Sequence, residues 1–169
     1  MAKTLIRPAA SADLPTLLEI DKASFPSGVA YDSAELSYFM NRSGAETMVL
    51  EHDGKIAAFL IMDVDAKHQM ATIVTLDVLR EFRRLGYASR LLRRSEEMLA
   101  RSGVVLYELQ VDVENAGAIA FYLKHGFRQT GRLRRYYANG HDGYTMVKRL
   151  PASGATSRST APAEPESRP

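Results

Sequence analysis

The sequence contains no cysteine. Disulfides, thiolate metal sites, iron–sulfur clusters and covalent cysteine chemistry are therefore excluded at once. Histidine is sparse: His52, His68, His125 and His141 are scattered without the paired spacing of a zinc site, so no metal centre is expected. No stretch approaches the roughly 18–20 uninterrupted apolar residues that cross a bilayer, and Met1 to Pro8 lacks the apolar core of a secretion signal. A membrane is thus not an expected partner, and the cytoplasm is the expected location. A strong excess of one charge is missing too. The net charge of +2 and a pI near 8.9 are too weak an imbalance to indicate a nucleic-acid binder by themselves.

What is present describes one globular domain. The 169 residues are 46% hydrophobic and 25% charged, within the range of a chain that buries a single core. The stretch from Pro151 to Pro169 differs: it holds four of the seven prolines, and its only aliphatic side chains are alanines. Nothing in it offsets the entropy of ordering, so it is read as a disordered tail following a domain of residues 1–150. Its two arginines and two glutamates cancel, which argues against an electrostatic arm.

Within the domain, a short strand from Thr4 to Arg7 precedes Pro15 and a helical stripe of Leu14, Leu17 and Leu18, with Phe25 a further candidate. Asp32 and Glu35 have the spacing of a capping box for a second helix. Met48 to Glu51 and Lys55 to Met62 read as strands joined at Asp53-Gly54, a hairpin dipeptide. A strand over Met70 to Val78 leads to a helix over Tyr87 to Arg101, ended by Gly103. Val104 to Val113 alternates, with Leu109, Val111 and Val113 on one face and Glu108, Gln110 and Asp112 on the other. Asn115 then caps a helix through Ala118, Ile119, Tyr122 and Leu123, and Gly126 ends it. Phe127 to Leu133 and Tyr144 to Leu150, joined near Asn139-Gly140, complete the order β-α-α-β-β-β-α-β-α-β-β. That order predicts an α/β (α+β) domain with one mixed, largely antiparallel sheet.

The segment from Val78 to Ala88 carries the most chemistry. A strand ends, a basic turn with Arg80, Arg83 and Arg84 follows, and a helix begins at Gly86 and Ala88. The first amides of a helix lack intrahelical partners and sit at the positive end of the dipole, so an anion such as a pyrophosphate fits there. The turn is shorter than a dinucleotide-fold fingerprint and has no Gly-Lys-Ser/Thr, which rules out Rossmann and P-loop readings.

Combined with Leu109 to Asn115 and the following Ala118, Tyr122, Gly126 and Phe127, this segment resembles the GNAT superfamily of acetyl-CoA-dependent N-acetyltransferases. That superfamily has a central Arg/Gln-x-x-Gly-x-Gly/Ala motif, followed by a strand leading into Asn, a helix with Tyr, and Gly-Phe. The resemblance spans about Thr4 to Leu150. Ile6 to Ala9 with Asp13 and Leu14, the Phe25-Pro26 pair, and Arg134 to Tyr137 with Tyr144 and Met146 look most like the ribosomal-protein alanine N-acetyltransferase branch.

The resemblance implies a GNAT fold of six to seven strands flanked by about four helices, with acetyl-CoA as co-substrate. It places the pyrophosphate on the amides of Arg83, Arg84, Leu85, Gly86, Tyr87, Ala88 and Ser89, and the pantetheine arm along Leu76, Asp77 and Val78 and beside Asn115. Tyr122 falls on the family's tyrosine, where a phenol, with a pKa of about 10 against about 8.5 for a thiol, stays protonated to serve the departing thiolate. Phe25, Tyr31, Tyr136 and Tyr137 are the candidates for the acceptor side, which would take the amine of a protein N-terminus or peptide. The protein acting on it is a monomer or a homodimer.

One position departs from the branch. Its proposed general base, a glutamate five residues before the Asn, is here Gln110, which accepts no proton. Glu108 shares that face of a regular strand and can act through a water; Tyr137 and His68 are more distant candidates. An α-amine with a pKa of about 7.7–8.0 is roughly a tenth neutral at pH 7, whereas a lysine near 10.4 is neutral a few hundredfold less often, so a weak base favours an α-amine substrate. A GNAT acting on a small amine, a non-catalytic acyl-CoA sensor and, from the arginines at 80–101 and 128–135, a nucleic-acid module are the alternatives.

Overall fold

The computed structural model describes residues 1–152, so the expected tail over 151–169 lies outside the described residues except for its first two. The elements are β1 (Thr4–Pro8), a 3-10 turn (Ser11–Asp13), α1 (Leu14–Ser24), α2 (Ser33–Asn41), β2 (Ala45–His52), β3 (Lys55–Asp65), β4 (Met70–Val78), a second 3-10 turn (Arg80–Phe82), α3 (Tyr87–Arg101), β5 (Leu106–Asp112), α4 (Ala116–Lys124), β6 (Arg128–Leu133) and β7 (Gly143–Arg149). They form one seven-stranded sheet in the order β1-β2-β3-β4-β5-β7-β6. Only the central pair, β4 with β5, is parallel.

Local chemistry accounts for most of these elements. Asp53 and Gly54 both have positive φ, the requirement of the tight hairpin that joins β2 to β3. Asp32 and Glu35 cap α2 reciprocally, each side chain accepting the other's backbone N–H at 2.8 and 2.9 Å. β3 is apolar without alternation because it is central and covered on both faces. Ala58, Leu60 and Met62 pack toward Leu91, Leu92 and Leu99 of α3, while Phe59 and Ile61 pack toward Leu17 and Ile20 of α1 and Leu36 of α2.

Several boundaries differ from the sequence expectations. Phe25 lies beyond α1 in extended backbone. β5 starts at Leu106, because the Val104 N–H is still bound to the Leu99 carbonyl at the end of α3. Val113 falls just past the end of β5, and its N–H reaches the Asp142 carbonyl. The β6–β7 connection is a long loop from Arg134 to Asp142, not a tight turn; the positive φ of Gly140 makes only one of its bends.

The feature that positions the site is a β-bulge. In the β3–β4 ladder Ile61 pairs with Thr75 and the next residue, Met62, with Ile73, so Val74 is left over. A bulge bends its strand and shifts the alternation by one residue. Ala71 and Ile73 before it, and Leu76 and Val78 after it, all pack in the core on the α3 side. Thr75 and Asp77 are thereby turned toward α1.

There Asp77 meets Asp21 of α1, and both are fully buried. The Tyr31 N–H donates to Asp21 Oδ2 at 2.7 Å and the Thr75 hydroxyl to Asp77 Oδ1 at 3.0 Å. The two remaining oxygens, Asp21 Oδ1 and Asp77 Oδ2, have no hydrogen-bond partner among the described residues and are sealed from solvent. A proton held between the two carboxyls would satisfy both. Burial, reinforced by the neighbouring carboxyl, pushes Asp77 well above the ordinary carboxyl range, and burial raises Asp21 as well.

The sign of the linkage follows. The native pair keeps a proton that the unfolded chain releases above about pH 4, so the pair's contribution to stability declines as pH rises from there. Asp77→Asn supplies permanent amide hydrogens in place of the shared proton. Its melting temperature relative to wild type is expected to rise by several degrees between pH 5 and pH 8, each kcal/mol being worth about 2–4 °C in a chain of this size. Melting curves of the two proteins that shift in parallel with pH would show that no proton is held there.

Candidate active site

β4 and β5 pair from Met70–Ile73 to Leu106–Leu109 and then part. Beyond the bulge β4 continues along β3 to Val78, and β5 continues along β7 to Asp112. The gap between them opens a cavity of about 690 Å³ that runs through the sheet. The edge of β4 that faces β5 is unpaired from Val74 onward, which leaves backbone amides and carbonyls directed at whatever enters.

On the α3 side, the cavity reaches the turn between β4 and α3. Arg84 and Gly86 both have positive φ, and Gly86 is the N-cap of α3 with no side-chain cap on the helix. A Cβ placed on Gly86 would meet nothing within 4 Å. The first amides of α3 therefore face open space at the positive end of the helix dipole, and their alternating backbone forms an anion nest. This open cradle fits a pyrophosphate, and the unpaired β4 edge fits the amides of a pantetheine arm, so the residues present suit coenzyme A.

Of the residues expected on this side, Leu76, Asp77, Val78, Arg83, Ala88 and Asn115 line the cavity. Leu85 is exposed and Tyr87 is buried against His52 and Phe82, so these two contribute backbone only. Arg84, Gly86 and Ser89 are not among the cavity's lining residues. Asn115 is also a true N-cap, its Oδ1 accepting the Ala118 N–H at 3.1 Å. Its amide nitrogen has no partner among the described residues. Asp77 can serve a ligand only through its backbone, because its side chain is committed to Asp21.

Tyr122 reaches the cavity from α4 and is buried, and its hydroxyl has no partner among the described residues. Burial pushes its pKa upward, with Tyr107, Asp77 and Tyr137 adding to the effect, so the phenol is protonated throughout the physiological range.

On the α1 side, Phe25, Tyr31, Tyr136 and Tyr137 all line the cavity as expected. The first two come from the α1–α2 loop, and the last two from the β6–β7 loop. Burial raises the pKa of all three tyrosines. Gln110 also lines this mouth, whereas Glu108, one step back on the same strand face, accepts the Gln110 amide N–H at 3.0 Å. His68 is not part of the site: it lies before the start of β4, at the end away from the split, paired with Asp65 at 2.7 Å. Sequence reading missed Asp112 and His141, which line the cavity together with His141 Nδ1 2.8 Å from Asp112 Oδ2. The place of Asp112 beside Gln110 in the strand alternation was a signal for one of them; nothing linked His141 to it.

An open helix-start cradle on one face of a parted sheet and an aromatic mouth on the other leave room for two ligands to meet inside it. The comparisons with known proteins go further. The Acetyltransferase (GNAT) family matches residues 14–127. An N-alpha-acetyltransferase of Sulfurisphaera tokodaii is 31% identical over 162 residues, covering 86% of this chain and 92% of its own. A [Ribosomal protein bS18]-alanine N-acetyltransferase of Salmonella typhimurium is 32% identical over 146 residues, with 85% and 94% covered. The crystal structure of the ribosomal-protein-S18-alanine N-acetyltransferase from Escherichia coli matches with a TM-score of 0.79 at 26% identity, covering 90% of this chain and 97% of that one. The chain belongs to the GNAT acetyltransferase family and is an N-acetyltransferase.

Gly86→Glu tests the cradle. Space is available for the side chain, so folding loses only the cost of a left-handed non-glycine residue, about 1–2 kcal/mol. Coenzyme A affinity, measured by calorimetry, is expected to fall by at least 10²-fold, because a carboxylate then stands where the pyrophosphate binds. A folded variant with unchanged affinity would place the coenzyme elsewhere.

Proposed function

We propose that this protein transfers the acetyl group of acetyl-CoA directly to the N-terminal α-amine of a protein or peptide. The observation that carries this reading is the near end-to-end similarity to enzymes named for α-amine and ribosomal-protein alanine acetylation, which extends over 92% and 94% of those relatives. The acceptor mouth is in keeping with it. Of its three lining carboxyls, Asp77 faces Asp21 and Asp112 is paired with His141, which leaves Glu114 as a single open acid for a polycationic amine. Its aromatic walls suit a peptide end.

In this reading the amides at the start of α3, with Arg83, hold the pyrophosphate, while the free edge of β4 over Leu76 to Val78 and the Asn115 amide hold the arm. Acetyl-CoA supplies the activated acyl group. The chain itself aligns the thioester with the amine, excludes water, and stabilises the charge that develops on the carbonyl and the departing sulfur. Tyr122 is the group beside that sulfur. Since burial raises its pKa further above that of a thiol, it acts as a hydrogen-bond donor to the thiolate and is not itself left ionised. Gln110, held by Glu108, positions the acceptor or a water at the mouth.

Incubation with acetyl-CoA and a library of peptides with free N-termini is expected to yield products carrying one acetyl group on the α-amine, read by intact mass and fragmentation. Acetylation confined to small amines would overturn the acceptor assignment, and coenzyme binding without any turnover would point to a sensor. Tyr122→Phe is expected to lower kcat by about 10²–10³-fold with coenzyme affinity unchanged. An unaltered kcat where chemistry is rate-limiting would remove Tyr122 from the mechanism.

A further inference from the structure

Neither Gln110 nor the buried Asp77 can receive the proton that an acceptor ammonium must lose, yet the same mouth holds a group built to do so. The Asp112 carboxylate is nearly buried at the end of β5. Its Oδ1 accepts the Glu114 N–H at 2.9 Å, and its Oδ2 stands 2.8 Å from His141 Nδ1. A carboxylate only accepts, so Nδ1 carries the hydrogen, and the lone pair of the neutral ring is left on Nε2. The Asn139 amide nitrogen also approaches Nδ1, at 3.3 Å, but the shorter contact to Asp112 takes the hydrogen there. The backbone of His141 is pinned as well: its N–H donates to Asn139 Oδ1 at 3.0 Å, and its carbonyl accepts the Tyr137 N–H at 3.1 Å. His141 is therefore fixed in tautomer and in place, is half exposed, and lines the cavity that also holds Tyr122.

We propose that His141, oriented by Asp112, is the general base that takes the proton from the acceptor amine, in place of the carboxylate that Gln110 lacks. This rests on the acetyl-transfer reading given above. The amine nitrogen bonds to the acetyl carbon as the carbon–sulfur bond breaks, and the ammonium loses two protons in all. One goes to His141 Nε2 and from there to water; the other ends on the sulfur, beside the Tyr122 hydroxyl. Asp112 is a positioning residue: it sets the tautomer and stabilises the imidazolium that forms.

The groups that bear on this titration are Asp112 and Glu114 from the β5 end, Gln110 beside them, Tyr31 from the α1–α2 loop, and Tyr136 and Tyr137 from the β6–β7 loop. Asp142, next in sequence to His141, is already neutralised by Arg132 at 2.7 Å and bound by the Arg135 N–H at 2.9 Å. A second histidine in the chain has the same local geometry without the location. His68 Nδ1 lies 2.7 Å from Asp65 in the exposed β3–β4 turn, and it serves as an internal control.

The test is a set of pH–rate profiles on one α-amine peptide. His141→Gln is expected to lower kcat/KM about 10²-fold at pH 6.5–7, with the deficit shrinking to within about tenfold at pH 9, where the amine is already neutral. Asp112→Asn is expected to reduce kcat/KM at pH 7 by about tenfold or more, with the deficit likewise shrinking toward pH 9. His68→Gln is expected to keep the wild-type profile. A His141→Gln profile parallel to wild type, or an Asp112→Asn deficit that does not change with pH, would overturn the assignment, as would a large pH-dependent loss in Glu108→Gln with none in His141→Gln. Wild-type protein that acetylates no peptide would instead defeat the acceptor reading, so the two failures are distinct.

Discussion

One extra residue in a strand makes the site possible. Were Val74 accommodated in a regular ladder, β4 would stay in register with β3 and remain parallel to β5 along its whole length, and the sheet would close over its own backbone. The bulge bends β4 away after Ile73, and three consequences follow from the same bend. The far half of β4 presents unpaired backbone groups to the gap. The N-terminus of α3, which follows β4 by a short turn, is aimed at the mouth. Thr75 and Asp77 rotate out of the α3 core into contact with α1, so the loop beyond α1 is tied to the strand with the unpaired edge.

Much of the architecture was legible in the sequence because it is local. The Asp53-Gly54 hairpin, the Asp32/Glu35 box, the Gly86 start of α3 and the Asn115 cap of α4 are each decided by a few adjacent residues whose backbone preferences admit one arrangement. The open helix start was legible for the same reason: a basic turn leading into a helix is contiguous in the chain. The candidate aromatics Phe25, Tyr31, Tyr136 and Tyr137 line one cavity from two loops.

What escaped the sequence is what depends on register or on distant partners. Alternation over Met70 to Val78 puts Thr75 and Asp77 in phase with Ile73, and only pairing with β3 reveals that the phase breaks at Val74. Asp21 and Asp77 look like surface acids until the fold buries them together. Asp112 and His141 come from different elements and meet only because β5 and β7 are neighbours. Val104 has the composition of a strand residue but is held by the closing turn of α3, a competition that propensity does not resolve. His68 looked comparable to the other histidines because position along β4, and not residue type, separates a group at the split from one at the joined end.

The joined end also sets how the two halves of the sheet are held together. β1 to β4 form one plate and β5, β7 and β6 another, and the plates share a ladder only over Met70–Ile73 and Leu106–Leu109. Beyond that short seam the plates are held by side chains alone: Tyr107, Leu109, Val111 and Met146 of one share a single buried core with Leu50, Leu60 and Met62 of the other. Cohesion across the split is therefore non-directional packing in place of the hydrogen bonds that would fix the two strands at ladder spacing.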